Sequence, residues 1–162
     1  MSKNTHIEAR TVLTDPVNFL AFGFGTGLAP FAPGTFGSIP GLLLFWATLE
    51  FGLYVQLAVA LALVAAGIWI CGECARRIGV HDHGGIVWDE IAGMYLTLFL
   101  APATPQGFLV AFLLFRVMDI VKPWPIRELD HRIHGGLGIM LDDLVAALYA
   151  ALLLALYGWL MT

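Results

Sequence analysis

The chain reads as an all-α, multi-helix, membrane-associated bundle with helical hairpins and a polar site at one set of helix ends, and three observations predict this. Apolar residues make up 59% of the 162 and charged residues 12%, with a mean hydropathy of +0.83, well above a soluble globular norm. Residues 53–72 form an apolar run of about the 20 residues needed to cross a bilayer, and residues 144–162 form a final apolar helix. Of twenty charged side chains, fifteen lie between Glu73 and Asp143. Carboxylates are costly in apolar surroundings unless they are paired or hold a metal, so that concentration points to a metal-dependent site on a membrane scaffold.

The length fits one domain, with residues 1–15 a polar tail and 16–162 a single helical domain. The tail lacks a signal-peptide pattern, so insertion is expected to use internal segments. A net charge of −4 and the absence of a basic run argue against nucleic acid as a partner. Cys71 and Cys74 have a Cys-x-x-Cys spacing, but no thioredoxin-like strand precedes them and no second ligand pair follows. They read as ordinary thiols near a helix end.

Residues 16–24 suit a short apolar helix. Residues 23–38 carry five glycines and two prolines, which argues against a regular helix there. The segment is no Walker P-loop, and no strand precedes it as in a dinucleotide site. A glycine loop bearing Thr35 and Ser38 before a helix can still present N–H groups and hydroxyls to an anion, and a purely structural turn explains it equally well. Residues 39–49 and 53–72 are apolar around a turn at Glu50, which predicts a hairpin. Prolines 102 and 105 divide the next apolar stretch into helices over about 86–101 and 106–121. A hairpin turning at those prolines brings Asp89, Glu90 and Asp119 to one end. Nearly all Lys and Arg fall on that side, which the positive-inside rule makes cytoplasmic.

The first polar island, 73–90, contains His81-Asp82-His83, a Gly84-Gly85 bend, then Asp89-Glu90 in the first turn of a helix. Acids there also complement the helix dipole, but two of them before an apolar run suit a hard cation, which takes oxygen ligands. His81 and His83 could ligate, donate protons or be solvated. In the second island, 116–143, Arg116, Asp119 and Lys122 are spaced i, i+3, i+6 along a helix. Pro123 and Pro125 stiffen the backbone after Lys122, which suits a lysine aimed at phosphate. Arg127 is a further candidate anion contact, and Glu128/Arg132 and Asp130/His134 are i, i+4 supports. Asp142-Asp143 is expected at the start of the final helix, where one acid could cap and both together favour metal binding or water activation. Trp88, Phe115 and Trp124 lie beside these charges and suit either interfacial depth or ordinary packing.

Residues 23–38, 81–93, 115–126 and 134–143 resemble, in composition, order and spacing, the hallmark blocks of the phosphatidylglycerophosphatase A family. The resemblance runs from about Asn18 to Leu160, with Ala147 where the family leads one to expect glycine. It implies a helical, bacterial inner-membrane enzyme facing the cytoplasm. Such an enzyme uses Mg²⁺ to remove the terminal phosphate of its phospholipid substrate, phosphatidylglycerophosphate, within the bilayer. On chemical grounds Asp89, Glu90, Asp119 and Asp143 are expected to hold metal, and Asp142 or Asp82 to activate water. Lys122 and Arg116, with Thr35 and Ser38, would meet the phosphate. His81 or His83 would protonate the leaving glycerol oxygen. The Asp-Gly-x-x-Ala-Arg signature of CDP-alcohol phosphotransferases is missing, as are the Lys-x₆-Arg-Pro motif and histidine nucleophile of another lipid-phosphatase type. A carboxylate-lined cation transporter would place its acids in mid-span, whereas these fall at predicted helix ends.

Overall fold

The computed structural model describes residues 7–80, 83–124, 126, 128 and 133–160, and these residues are helical with short connections and no strand. Seven α-helices are described: α1 (Ala9–Thr14), α2 (Pro16–Ala21), α3 (Pro33–Thr48), α4 (Leu53–Ile78), α5 (Trp88–Thr97), α6 (Pro105–Val121) and α7 (Gly135–Leu160). His81, Asp82, Arg127, Asp130 and Arg132, all singled out above, lie outside the described residues.

Helix α5 is short because Pro102 and Pro105 follow it closely, and it is central. It packs against α3, α4, α6 and α7 and buries eight of its ten residues. Close approach to α5 and α7 depends on small residues, as it commonly does in helix packing without a water-driven core. A β-carbon on Gly41 of α3 would lie 2.3 Å from the Ile91 carbonyl oxygen of α5, and one on Gly136 of α7 would lie 1.8 Å from the Ile68 carbonyl of α4. Helix α7 buries Ala146, Ala147 and Ala150, so the methyl at position 147 fits the core. At the end of the bundle far from the acids, the Thr48 hydroxyl lies 2.9 Å from the Tyr95 hydroxyl among the rings of Phe45 and Phe99.

The hairpin over 86–121 forms as the prolines predict. The 39–72 hairpin turns near Glu50, but α3 packs mainly on α5, and α4 on α7 and α5. Two expectations are corrected. Helix α3 begins at Pro33, not after Ser38, because Pro33 starts the first turn and the glycines 34, 37 and 41 line its contact with α5 and the residues leading into it. Helix α7 begins at Gly135, so Asp142 and Asp143 sit about two turns inside it and neither caps it.

Helices α4 and α7 are the two described helices long and apolar enough to cross a membrane; only 28% of the most apolar window of α4 is buried. Outward-facing side chains include Trp46, Tyr54, Trp69, Leu109, Leu148 and Trp159. Trp88 and Phe115 are interior instead, with the Trp88 indole N–H donating to the Leu63 carbonyl at 3.0 Å. Only Trp124 of the three aromatic candidates is exposed.

Asp15 anchors the N-terminal helices. Its carboxylate accepts from the Val17 and Asn18 backbone N–H groups at 2.9 and 3.0 Å and pairs with Arg77 of α4. The Asn18 backbone bond, foremost, and Arg77 hold its carboxyl below the usual range. An acid with a lowered folded-state pKa stabilises fully above its unfolded value and loses that contribution as pH falls through the folded one. Asp15→Ala is therefore expected to cost about 1 kcal/mol at neutral pH. In paired thermal melts of wild type and variant, the gap should shrink in acid.

Candidate active site

The acids converge where the N-terminal turn of α5, the C-terminal turns of α6 and the second and third turns of α7 meet. Asp89 and Asp143 are 9% and 2% exposed. Asp89, Glu90 and Asp143 each direct a carboxylate oxygen to a common point, the three oxygens lying within 4.8 Å of one another. Asp119 sits beside them, bound to Arg116 at 2.5 Å, and the same guanidinium is 3.9 Å from Glu90. Lys122 pairs with Asp142, whose other oxygen accepts the Asp143 backbone N–H at 3.1 Å.

Five carboxylates thus gather around two cations, leaving a formal excess of three negative charges. Asp89 Oδ1, Glu90 Oε2 and Asp143 Oδ2 are buried with no hydrogen-bond partner among the described residues. An uncompensated buried carboxylate costs several kcal/mol, so unpaired, convergent oxygens are what a bound cation would satisfy. Asp89 and Glu90 lie outside both candidate spans, and their surroundings oppose ionisation. Burial, then the Glu90 charge, raises Asp89 well above the carboxylate range. Burial, then Asp143, pushes Glu90 up to about 8, against smaller opposing effects from Asp89 and Arg116. The donor set of three carboxylates without sulfur or imidazole suits a hard divalent cation.

Backbone detail frames this cluster. Gly34, in the first turn of α3, touches it: a β-carbon there would lie 2.2 Å from Glu90 Oε1 and 3.0 Å from both terminal nitrogens of Arg116. A β-carbon on Gly93 would lie 2.7 Å from the Phe115 ring and 3.1 Å from the Asp143 carbonyl oxygen. Neither glycine was identifiable from composition, because its role is to be absent from space that a neighbour occupies. Lys122 ends α6 in a left-handed conformation, φ 45° and ψ 64°, a costly backbone state for a non-glycine residue, and this turns the chain at the site.

The remaining candidates fall as follows. Thr35 lies in the first turn of α3, next to Gly34. Ser38 is fully buried and donates its hydroxyl to the Gly34 carbonyl at 2.8 Å, so that hydroxyl is engaged within the helix. The Gly23–Leu28 turn packs its Gly27 on the Gly85 carbonyl, a contact of two loops through bare backbone. His83 Nδ1 accepts the Gly85 N–H at 3.0 Å, and its ring lies 5.6 Å from Phe22. Cys71 and Cys74 are buried free thiols, Cys71 facing Met140.

A helical bundle whose carboxylates meet around buried, unpartnered oxygens, and which holds two helices long and apolar enough to cross a membrane, defines a class: all-helical proteins with an acidic site that could hold a cation. Comparison narrows that class. The family model described as phosphatidylglycerophosphatase A matches residues 19–157, and the chain belongs to that family. It is 41% identical to phosphatidylglycerophosphatase A of Escherichia coli strain K12, over 93% of this chain and 88% of that protein. It is 40% identical to the protein of the same name from Haemophilus influenzae, over 99% and 100%. A Bacteroides thetaiotaomicron protein provisionally named a phosphatidylinositol-3-phosphatase is 34% identical over 85% of this chain and 90% of that protein. No solved structure matches the chain.

Proposed function

We infer that this protein is a membrane phosphatase that hydrolyses the terminal phosphate of phosphatidylglycerophosphate to phosphatidylglycerol and inorganic phosphate, using Mg²⁺. The observation that carries the reading is the convergence of Asp89, Glu90 and Asp143 with unpartnered buried oxygens, in a chain whose relatives carry that enzyme's name. Asp89, Glu90 and Asp143, with Asp119 beside them, hold the cation. When bound, it neutralises phosphate charge and acidifies the attacking water.

The chain's own groups account for the rest. Arg116 Nε is buried with no hydrogen-bond partner among the described residues, so the guanidinium retains a donor for a phosphate oxygen while Asp119 and Glu90 orient it. The Lys122 ammonium, held at Asp142, supplies positive charge to the same phosphate. Water attacks phosphorus as Asp142 or Asp82 accepts its proton. The bond from phosphorus to the glycerol oxygen breaks, and His81 or His83 protonates that oxygen. Helices α4 and α7 cross the inner membrane, with the acidic end at the cytoplasmic headgroup level, where the phosphate of a bilayer-bound substrate already lies.

Phosphate release from phosphatidylglycerophosphate in mixed micelles, with and without Mg²⁺, tests the reading, with phosphatidylinositol 3-phosphate as the competing substrate. Mg²⁺-dependent release, faster from the first lipid, is expected; release unaffected by chelation would overturn the metal assignment. Lys122→Ala should lower kcat/KM at least ~10-fold, the scale of one charge-assisted hydrogen bond, while Mg²⁺ still raises the melting temperature. Unchanged kinetics with a lower melting temperature would make Lys122 a structural partner of Asp142 only.

A further inference from the structure

Between the end of α6 and the C-terminal half of α7 lies an apolar groove of about 450 Å³. Met118, Pro123, Trp124, Tyr149, Leu153 and Leu156 line it. Its register with the site is direct. On α7, positions 149, 153 and 156 follow Asp142 by 7, 11 and 14 residues, which at 100° per residue places all three within about 40° of the Asp142 direction. At 1.5 Å per residue they lie roughly 10 to 21 Å below it along the helix. On α6, Met118 is one turn before Lys122, whose backbone N–H donates to its carbonyl at 2.9 Å. The α7 wall of the groove therefore lies on the same side of that helix as Asp142, further along its apolar part, and Pro123 and Trp124 of the lining directly follow Lys122. The chain leaving Lys122 forms its roof, and the Tyr149 hydroxyl fastens that roof by donating to the Trp124 carbonyl at 3.1 Å.

We propose that this groove seats one acyl chain of the phospholipid substrate, so that the lipid enters between α6 and α7 with its phosphate delivered to Lys122. The inference rests on the phospholipid reading above and adds to it the position and the residues of the acyl contact. A volume in the range of small-ligand sites, an apolar lining and continuity with the charged pair all match a molecule that is anionic at one end and hydrocarbon at the other. A headgroup alone leaves the groove unused.

The test compares wild type with Leu153→Trp and Leu156→Trp, each of which fills the groove, on long-chain and on dihexanoyl phosphatidylglycerophosphate. Both variants should lower kcat/KM for the long-chain lipid about ten-fold more than for the short one, the equivalent of roughly two lost methylene contacts. Equal losses on both substrates, or none on either, would refute the acyl assignment. A second measurement does not depend on turnover or on the variants' folding. Wild-type protein is irradiated with phosphatidylglycerophosphate bearing a diazirine near the middle of one acyl chain. Labelling should concentrate on the segments holding Met118 and Leu153, and excess unlabelled phosphatidylglycerophosphate should suppress it where phosphatidylcholine does not. Labelling spread over α4 and α7 alike, or insensitive to that competition, overturns the proposal. If the labelling is specific but no phosphatidylglycerophosphate is hydrolysed, the groove stands and the proposed reaction fails.

Discussion

Asp89→Asn and Asp143→Asn are each expected to reduce phosphate release by at least ~100-fold, since even groups one step removed from a metal cost 10- to 100-fold when changed. Both side chains contribute oxygens to the three-carboxylate cluster and each leaves one buried oxygen without a partner. Loss of a structural ion pair would predict unfolding. Here the opposite sign is expected for the metal-free protein, because an amide cannot ionise in a buried site whose surroundings already oppose ionisation. The metal-free melting temperature should therefore hold or rise. The gain in melting temperature on adding Mg²⁺, which mass action confers on any ligand that binds only the folded state, should shrink or vanish. Near-normal turnover by either variant would remove that residue from the cation site. A collapse in metal-free stability would show the carboxylate to be a structural group. Asp119→Asn tests the neighbouring position in the same assay, where its bond to Arg116 adds a stability loss absent from the other two.

Gly41→Ala should destabilise the fold by about 1–3 kcal/mol, the range for forcing atoms into a packed interior. In an unconstrained helix the same change would gain close to 1 kcal/mol, so the sign is diagnostic. The new methyl would stand 2.3 Å from the Ile91 carbonyl oxygen and 3.1 Å from its α-carbon. Those are backbone atoms of α5, which four other helices enclose, and they cannot swing aside. Gly34→Ala makes a useful contrast. Its methyl would meet Glu90 Oε1 and the ends of Arg116, tips of flexible side chains that can rotate away. Stability should then change little while activity falls, because the displaced groups are the ones that meet cation and phosphate. Thermal melts in detergent alongside kinetics separate the two cases. Equal melting temperatures for Gly41→Ala and wild type would mean that α3 and α5 approach less closely than described.

Hydropathy is a local property, and so the long apolar helices were legible in the chain, whereas α1, within residues read as a polar tail, was not. The apolar runs became α4, α6 and α7, and the prolines at 102 and 105 placed the turn between α5 and α6. That turn put Asp89, Glu90 and Asp119 on one side, because a helical hairpin returns the chain toward the level it started from. What local pattern could not supply is which helix each face meets. In a chain with apolar residues on nearly every face, periodicity distinguishes neighbours poorly. The choice of α5 over α4 as the partner of α3 is made by Gly34, Gly37 and Gly41 fitting against Glu90, Val87 and Ile91. Glycine content instead suggested a loop, since a glycine that breaks a helix in isolation and one that admits a neighbouring helix look alike in one dimension.

The site divides in the same way. Residue type alone made the paired acids, Arg116 and Lys122 conspicuous, because charge in apolar surroundings requires compensation. Tertiary structure decided their partners: Lys122 with Asp142, Arg116 between Asp119 and Glu90, and Asp143 two turns inside α7 beside Asp89. It also buried Ser38 and Trp88 and met their donors with backbone carbonyls 2.8 and 3.0 Å away, which gives Trp88 the packing role, one of the two its neighbourhood suited. The physical reason is one of range. Burial cost and helix propensity act through a few neighbouring residues and are written along the chain, whereas the pairing of charges and the fit of a glycine against a carbonyl depend on distances of a few ångströms between segments up to a hundred residues apart.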